Sequence, residues 1–564
     1  MVNRSSSATS DVPFGLGARA ISRNVMIRLR VEAREMSNFI QSPCDEAVIR
    51  SRTAIAPCAR SSGPWILAAT ILGSSLAFID GTVVNVALPA LQASLNATVV
   101  DVQWVVEAYS FTLSAFLLMG GALGDRYGRR RIFVIGVALF SFASAWCGAS
   151  ANIRQLVLAR AIQGIGAALL VPGSLAIISA SFNEEDRGRA IGTWSGFTAI
   201  TAAAGPVIGG WLIEHISWRA VFFINLPLAI IVLLISFYRV PESRDEKDNQ
   251  RLDWLGALVA TIGLGSLVYG LIESSRLGFG HSAVLTALFG GTFFLLGFLF
   301  VEARARNPML PLALFRSPDF AGANLLTLLL YSALGGTLFF LPLNLIQVQQ
   351  YSATAAGAAL LPFVLIMFLL SRWSGSLVQR YGAKRPLIIG PIIAATGFAL
   401  FIVPGVGADY WSKFFPAIVV LGIGMAMSVA PLTTTVMSAV PRNRVGVASG
   451  INNAVSRAAA LLAIAVFGIA MLNAFNRSLD QHLLEAQVPA TTQHSLDDQR
   501  INLAAAALPK EIAPSGREML RKAIDESFVH GFRTVMLIGA ALALASGIAS
   551  LLFMSGRAKS RHDL

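Results

Sequence analysis

Apolar segments of roughly twenty residues recur along the chain, separated by short polar connections. A helix needs about 20 residues of this kind to cross the hydrocarbon core of a bilayer. The apolar residues form continuous runs, whereas the strands of a membrane barrel alternate, so helices are the spanning elements. The pattern predicts an all-α membrane protein with 14 transmembrane helices. The predicted spans are 64–91, 103–123, 132–150, 155–180, 188–214, 219–239, 253–272, 282–302, 319–346, 356–378, 386–405, 413–436, 446–473 and 532–556.

Composition supports lipid as the surrounding solvent. Only 13% of the 564 residues are charged and 55% are hydrophobic, whereas a soluble chain carries about 25% charged residues. The net charge of +13 comes from short loops, so nucleic-acid binding is not expected. The three cysteines, Cys44, Cys58 and Cys147, lack the spacing of metal ligands. Neither a disulfide nor a metal site is predicted.

Basic residues are concentrated in alternate loops. The positive-inside rule places such loops in the cytoplasm. Both termini then lie in the cytoplasm as well. The expected location is the cell inner or plasma membrane. On that side lie Arg126, Arg129, Arg130, Arg131, Arg187, Arg189, Arg239, Arg244, Lys247, Arg251, Arg304, Arg306, Arg316, Arg380, Lys384, Arg385, Arg442 and Arg444. The short loops on the other side hold only Arg154, Arg219, Arg276 and Lys413.

An internal repeat divides the chain into two halves. The segment Gly121–Arg131 aligns with Gly375–Arg385, each just after the second span of a six-span set. The offset predicts two homologous halves with a two-span insert. The predicted units are a polar, Arg-rich cytoplasmic tail at 1–62, a six-helix bundle at 63–240, two inserted helices at 250–303, a second bundle at 316–558 and a cytoplasmic tail at 559–564.

Two polar segments leave alternatives open. The tail at 1–62 is either disordered or the product of an over-extended start, because Met26 and Met36 offer later starts. The external loop at 474–531 has amphipathic helical ends. It is either a solvated hairpin or a cap that binds a partner.

Three charged residues within predicted spans are the main candidates for function, because charged groups are costly there. Asp80 lies in the middle of span 1, where a carboxylate removed from water can take and release a proton; a structural hydrogen bond is the alternative. Glu107 in span 2 is a proton site, a counter-ion for a cationic substrate, or an interfacial side chain. Arg160 in span 4 either acts on a nearby carboxylate or extends to the outer surface.

Other polar residues within the spans are candidates for lining a central cavity. Interhelical hydrogen bonds are an equally good explanation for the amides, and an interfacial position is the alternative for the tyrosine. These residues are Asn85, Tyr109, Gln163, Asn344, Gln347, Arg372, Asn452 and Asn453, with Arg457 following in span 13.

Five motifs, in order, resemble those of the major facilitator superfamily, specifically its fourteen-helix drug:proton antiporter branch. They are Asp80–Pro89, Gln103–Tyr109, Gly121–Arg131, Leu156–Ala168 and Gly205–Gly210. The resemblance implies a major facilitator fold with two six-helix bundles plus two additional central helices. It also implies a transporter, not an enzyme, in which the proton gradient drives export of amphipathic organic compounds or drugs by alternating access.

The resemblance also implies roles for individual residues. Asp80, Glu107 and Arg160 would couple transport to protons. The loop residues Gly121, Asp125, Arg126, Gly128, Arg129 and Arg130 would form a cytoplasmic gate with charges reaching the opposite half. In the antiporter motif, Gly205, Gly209 and Gly210 allow close helix packing, and Pro206 bends the helix.

The expected partners are a small-molecule substrate, protons and the lipid bilayer, with a periplasmic adaptor protein left open. No cofactor is expected, because the chain carries no phosphate-binding glycine loop of the GxxxxGK[ST] type. Two alternatives remain at this point: a proton-coupled importer of a small metabolite, and a non-transporting membrane sensor or scaffold.

Overall fold

A computed structural model describes residues 62–182, 184–244, 254–305, 308, 310–441, 445–497, 499–508, 512 and 514–554, which are helical with no β-strand. The predicted tails at 1–62 and 559–564 lie outside the described residues, except for Ser62. The long helices are α1 (Gly63–Leu95), α2 (Val99–Tyr127), α3 (Arg129–Ala149), α4 (Ile153–Ser181), α5 (Glu184–His215), α6 (Ala220–Arg239), α7 (Trp254–Leu277), α8 (Ser282–Arg304), α9 (Pro318–Leu343), α10 (Leu361–Tyr381), α11 (Lys384–Leu400), α12 (Phe415–Ser438), α13 (Val445–Glu485) and α14 (Pro514–Phe553).

Each of the predicted spans coincides with one of these helices. In the described part of the chain, 12 helices are long and apolar enough to cross a membrane. Helix α2 is a thirteenth if its two parts, bent by 49° between Leu117 and Met119, form one span. The remaining helix, α11, has 17 residues. The all-α, multi-pass architecture is therefore confirmed, while the count of fourteen spans stays a prediction.

Helices α1–α6 pack into one bundle and α9–α14 into a second. The two copies of the internal repeat adopt similar local structure. Helix α2 ends at Tyr127 and helix α10 at Tyr381, and the glycine that follows each, Gly128 or Gly382, has a φ of +113° or +75°. These values lie in the region that favours glycine, which explains why both copies have glycine at this position.

The two inserted helices are central in the sequence but lie at the side of the bundles. Helix α7 packs against α2 of the first bundle and α13 of the second, and Trp104 of α2 donates a hydrogen bond of 3.0 Å to Glu273. Helix α8 packs mainly against α7. Its Phe289 and Phe293 are 71% and 72% exposed, as suits side chains that face lipid.

The segment predicted as an external loop, 474–531, is largely helical. Helix α13 continues to Glu485 and α14 begins at Pro514, so they extend about 18 Å and about 27 Å beyond the predicted ends of spans 13 and 14 at 1.5 Å per residue. A helix at Ala490–Asp497 and a 3-10 turn at Arg500–Ala505 connect them. The predicted helical ends are thus continuous with the spans.

The two bundles meet at the end of the molecule that holds Gln92 and Gln347. We call it the outer end, following the charge pattern. Gln347 donates to the Gln92 amide oxygen at 2.9 Å, and Gln92 donates to the Asn502 carbonyl at 3.2 Å. Deeper along this seam, Gln103 donates to the Ile464 carbonyl at 3.4 Å. Where both partners are described, every hydrogen bond between the bundles lies at this end, so the structure is closed there.

Glycine lets α3 and α4 approach closely, which generates a stability prediction. A Cβ on Gly166 would lie 2.5 Å from the backbone nitrogen of Phe140. Gly166→Val should therefore lower the melting temperature in detergent, because overpacking costs about 1–3 kcal/mol. Gly290→Val on α8 is the matched control, since no atom lies within 4 Å of its Cβ. The melting temperatures are measured by gel filtration after heating. Equal melting temperatures for the two variants would contradict this packing.

Candidate functional site

Asp80 of α1 and Arg160 of α4 form an ion pair inside the first bundle. Arg160 Nη1 lies 2.5 Å from Asp80 Oδ2, and the side chains are 1% and 0% exposed. Gln163 completes the cluster, because its amide donates to Asp80 Oδ1 at 2.9 Å and its oxygen accepts from Arg160 at 2.8 Å. The structure thus brings two of the three predicted coupling residues into direct contact.

Arg160 also has partners on α2. Its Nε donates to the Val105 carbonyl at 3.0 Å, and its guanidinium lies 4.3 Å from the centroid of the Tyr109 ring. A buried ion pair is stable only when its remaining donors and acceptors are also satisfied. Tyr109 and Gln163, predicted as cavity residues, lie instead in this buried cluster.

Glu107 lies on α2, close to the cluster but outside it. It is fully buried, and within the described part of the chain neither carboxylate oxygen has a hydrogen-bond partner. One turn earlier on the same helix face, Gln103 packs against Gly468 of α13, so Glu107 also faces α13. This burial does not fit the alternative of an interfacial side chain that reaches water.

Polar residues of both bundles also lie on the cytoplasmic side of the seam contacts. On α1, Asn85 and Gly81 lie on the same helix face as Gln92. Asn85 is half-buried, and no atom lies within 4 Å of a Cβ placed on Gly81. On the facing stripe of α13, Arg457 is half-buried and Asn453 is exposed. These positions are exposed or half-buried below the closed seam, as residues that line a central cavity between the bundles would be.

Asn452 has hydrogen-bond partners within the second bundle. Asn452 donates to Asn324 Oδ1 at 3.3 Å and to Thr327 Oγ1 at 2.6 Å. These hydrogen bonds join α13 to α9 within the second bundle, as one of the two predicted explanations requires. The side chain of Arg372 lies outside the described residues.

Asn344 and Gln347 lie at the outer end. Asn344 accepts a hydrogen bond from Gln349 at 3.2 Å, and Gln347 donates to Gln92 across the seam. Gln347 therefore belongs to the closed seam, whereas the contact of Asn344 lies within the second bundle.

The loop between α2 and α3 is held by charges within the first bundle. Arg129 Nε lies 2.9 Å from Asp125 Oδ1. Glu242, which follows α6, accepts from the Arg130 backbone N–H at 3.1 Å and lies 3.6 Å from Arg131 Nε. Glu242 is not among the residues predicted from the sequence. The feature that could identify it is its position, as an acidic residue in a basic loop just after a span.

Gly128 is required for this arrangement, because a Cβ there would lie 2.6 Å from Glu242 Oε1. The Arg126 guanidinium lies 5.4 Å from the Tyr127 ring centroid, and a Cβ on Gly121 would contact α4. Among the described residues, the ion pairs of this loop do not reach the second bundle. Between the described residues, the predicted charge network to the opposite half is therefore absent.

The glycines of the antiporter motif face two neighbours. Any side chain on Gly205 or Gly209 would overlap α1, and one on Gly210 would overlap the short helix Ala353–Ala359 of the second bundle. The Pro206 carbonyl packs against the same short helix. The motif thus holds α5 against both its own bundle and the opposite one at the outer end.

Comparisons with known proteins agree with this architecture. The Major Facilitator Superfamily model matches residues 70–464. The Multidrug resistance protein Stp of Mycobacterium tuberculosis (strain CDC 1551 / Oshkosh) is 33% identical over 485 residues, covering 84% of this chain and 89% of that protein. The Tetracenomycin C resistance and export protein of Streptomyces glaucescens is 32% identical over 496 residues, covering 86% and 91%.

The fold is also similar to a solved structure. A bacterial homolog of the human lysosomal transporter Spinster, in an inward-facing and unoccupied conformation, aligns with a TM-score of 0.62 at 18% identity, covering 88% of this chain and 99% of that one. At this identity the similarity concerns the fold.

The buried ion pair generates a stability prediction. Arg160→Gln should destabilise the protein by about 3–5 kcal/mol, because it leaves the Asp80 charge buried without a counter-ion. Asp80→Asn combined with Arg160→Gln removes both charges and should recover most of this loss. The stability of both variants is measured by thermal unfolding in detergent. Arg477→Gln, exposed on α13, is the control. A double variant no more stable than Arg160→Gln alone would rule out the pair.

Proposed function

Because this chain belongs to the major facilitator superfamily, we propose that it is a proton-coupled secondary transporter that exports amphipathic organic compounds by alternating access. Relatives whose names describe multidrug resistance and tetracenomycin C resistance and export support this direction and do not favour import. The observation that carries the proton coupling is the buried Asp80–Arg160 pair.

A proton on Asp80 changes the contacts between α1, α2 and α4. The ionised carboxylate accepts from both Arg160 and Gln163. Protonation removes its charge and turns one acceptor oxygen into a donor that faces the guanidinium. Helix α1 then loses its attraction to Arg160, which keeps its contacts with Val105 and Tyr109 on α2. Proton binding is thereby converted into movement of α1 relative to α2 and α4.

Glu107 is the second proton-binding residue of the proposal. An isolated ionised carboxylate is very costly in an apolar interior, so Glu107 is neutral while α2 and α13 are in contact. Opening the outer end separates these helices and exposes Glu107 to water. A proton can then exchange with the outside.

The loop at Gly121–Arg131 acts as the cytoplasmic gate. Closing the cytoplasmic end would bring Asp125 and Arg126 towards the second bundle, where they would form the charge network that is not formed here. In this proposal the protein lies in the cell inner or plasma membrane with both termini in the cytoplasm. The proton gradient supplies the energy, and no cofactor takes part.

Transport in inside-out membrane vesicles tests the coupling. An acidic lumen should drive uptake of amphipathic pyrene dyes, because protons leaving the lumen exchange for dye. Asp80→Asn should reduce this uptake at least about tenfold, equivalent to about 1.4 kcal/mol in the transition state. Asp497→Asn, in the exposed outer segment, is the control. Undiminished uptake by Asp80→Asn, or uptake without a pH gradient, would contradict the coupling mechanism.

The gate is tested by Asp125→Asn. This variant should slow transport several-fold, because the carboxylate is lost from the charge network of the closed cytoplasmic end, while dye binding to the purified protein remains detectable. Asp186→Asn, exposed on α5, is the control on the same side of the membrane. Equal rates in Asp125→Asn and the wild-type protein would remove the gating role.

A further inference from the structure

Arg457 is a charged residue of α13 to which the coupling mechanism gives no role. It is half-buried, and its guanidinium has no hydrogen bond or ion pair with the residues that the structure describes. Arg160, by contrast, is fully paired. A permanent cation in a membrane span must pair or face water, so Arg457 is a cation directed to the cavity.

The seam contacts fix where Arg457 lies. Gln103 of α2 donates to the Ile464 carbonyl of α13, and the two helices run in opposite directions across the membrane. Glu107 therefore lies about 6 Å, and Arg457 about 10 Å, from that contact in the same direction, at 1.5 Å per residue. Arg457 thus lies where the closed seam gives way to the cavity.

The charges around this point do not cancel. Asp80 neutralises Arg160, and Glu107 is sealed from the cavity without a partner. Among the described residues, Arg457 is therefore a positive charge that no acidic side chain compensates. Arginine forms strong charge-assisted hydrogen bonds with carboxylates, often through two parallel donors.

We propose that Arg457 binds an acidic group of the transported compound, so that the cavity takes anionic or zwitterionic amphipathic molecules such as organic carboxylates. Asn453, one turn away on α13, offers a neutral hydrogen-bonding group beside it. The transport part of this assignment rests on the proposed export function, whereas binding can be measured without it.

Three probes with one aromatic body test the assignment: pyrenebutanoate, its methyl ester, and a pyrenyl trimethylammonium. Their binding is followed by fluorescence anisotropy on the purified full-length protein in lipid nanodiscs. Arg457→Gln should weaken binding of the carboxylate about tenfold or more, as loss of a hydrogen bond to a charged group predicts. It should change binding of the ester less than about twofold and should not weaken binding of the ammonium probe, because a repelling charge is removed. Arg457→Lys should retain part of the affinity. Arg477→Gln, exposed on the same helix, should bind all three as the wild-type protein does.

Two results would overturn the assignment directly. Unchanged carboxylate binding in Arg457→Gln would exclude the contact, and equal weakening of all three probes would mark Arg457 as structural. A third comparison uses Glu107→Gln combined with Arg457→Gln. Recovery of carboxylate binding in that double variant would mean that Arg457 only neutralises Glu107, which also overturns the assignment.

Failure of the proposed export function gives a different pattern. In that case no probe accumulates in inside-out vesicles under a pH gradient, yet the carboxylate still binds the wild-type protein and loses affinity in Arg457→Gln. The binding site would then stand without the export function. Gradient-driven uptake of all three probes with no dependence on Arg457 would leave export standing and remove the site.

Discussion

The ion pair between Asp80 and Arg160 is the interaction on which the arrangement of the first bundle depends. Either charge alone would be costly within a membrane span, and together they are satisfied only because Gln163 and the Val105 carbonyl complete their hydrogen bonds. Their partners come from α1, α2 and α4, and α1 and α2 also meet the second bundle. Two of the helices that hold the pair and its partners therefore also take part in the contact between the bundles.

Hydrophobic periodicity and the repeated loop predict the spans and the two halves, but they do not predict which polar residues meet. Asp80 and Arg160 are 80 residues apart in the chain, and their contact depends on how α1 and α4 are rotated. Gln163 and Tyr109 satisfy the sequence criteria for cavity residues equally well. They face the interior because Gly164 lets α4 approach the backbone of α2 at Tyr109, and a sequence window contains no information about that approach.

The outer segment shows a second limit of the sequence pattern. Hydropathy falls where a helix leaves the hydrocarbon, and this marks the membrane surface rather than the end of the helix. Helices α13 and α14 continue past that point because they pack against each other, with Leu479 and Phe528 buried and His482 lying 3.2 Å from Glu526. Hydropathy alone therefore predicts a loop where two paired helices continue beyond the apolar segments.

The two bundles differ in whether an arginine within their spans is paired. The first bundle pairs its buried arginine internally, whereas the second presents Arg457 to the cavity. With Arg457 as the recognition residue, substrate binding and proton binding lie on opposite sides of the seam. Glu107 and Arg457 belong to α2 and α13, whose contact closes the outer end. In the proposed mechanism, separation of these helices changes the surroundings of both groups at once, so one movement links proton binding to substrate binding.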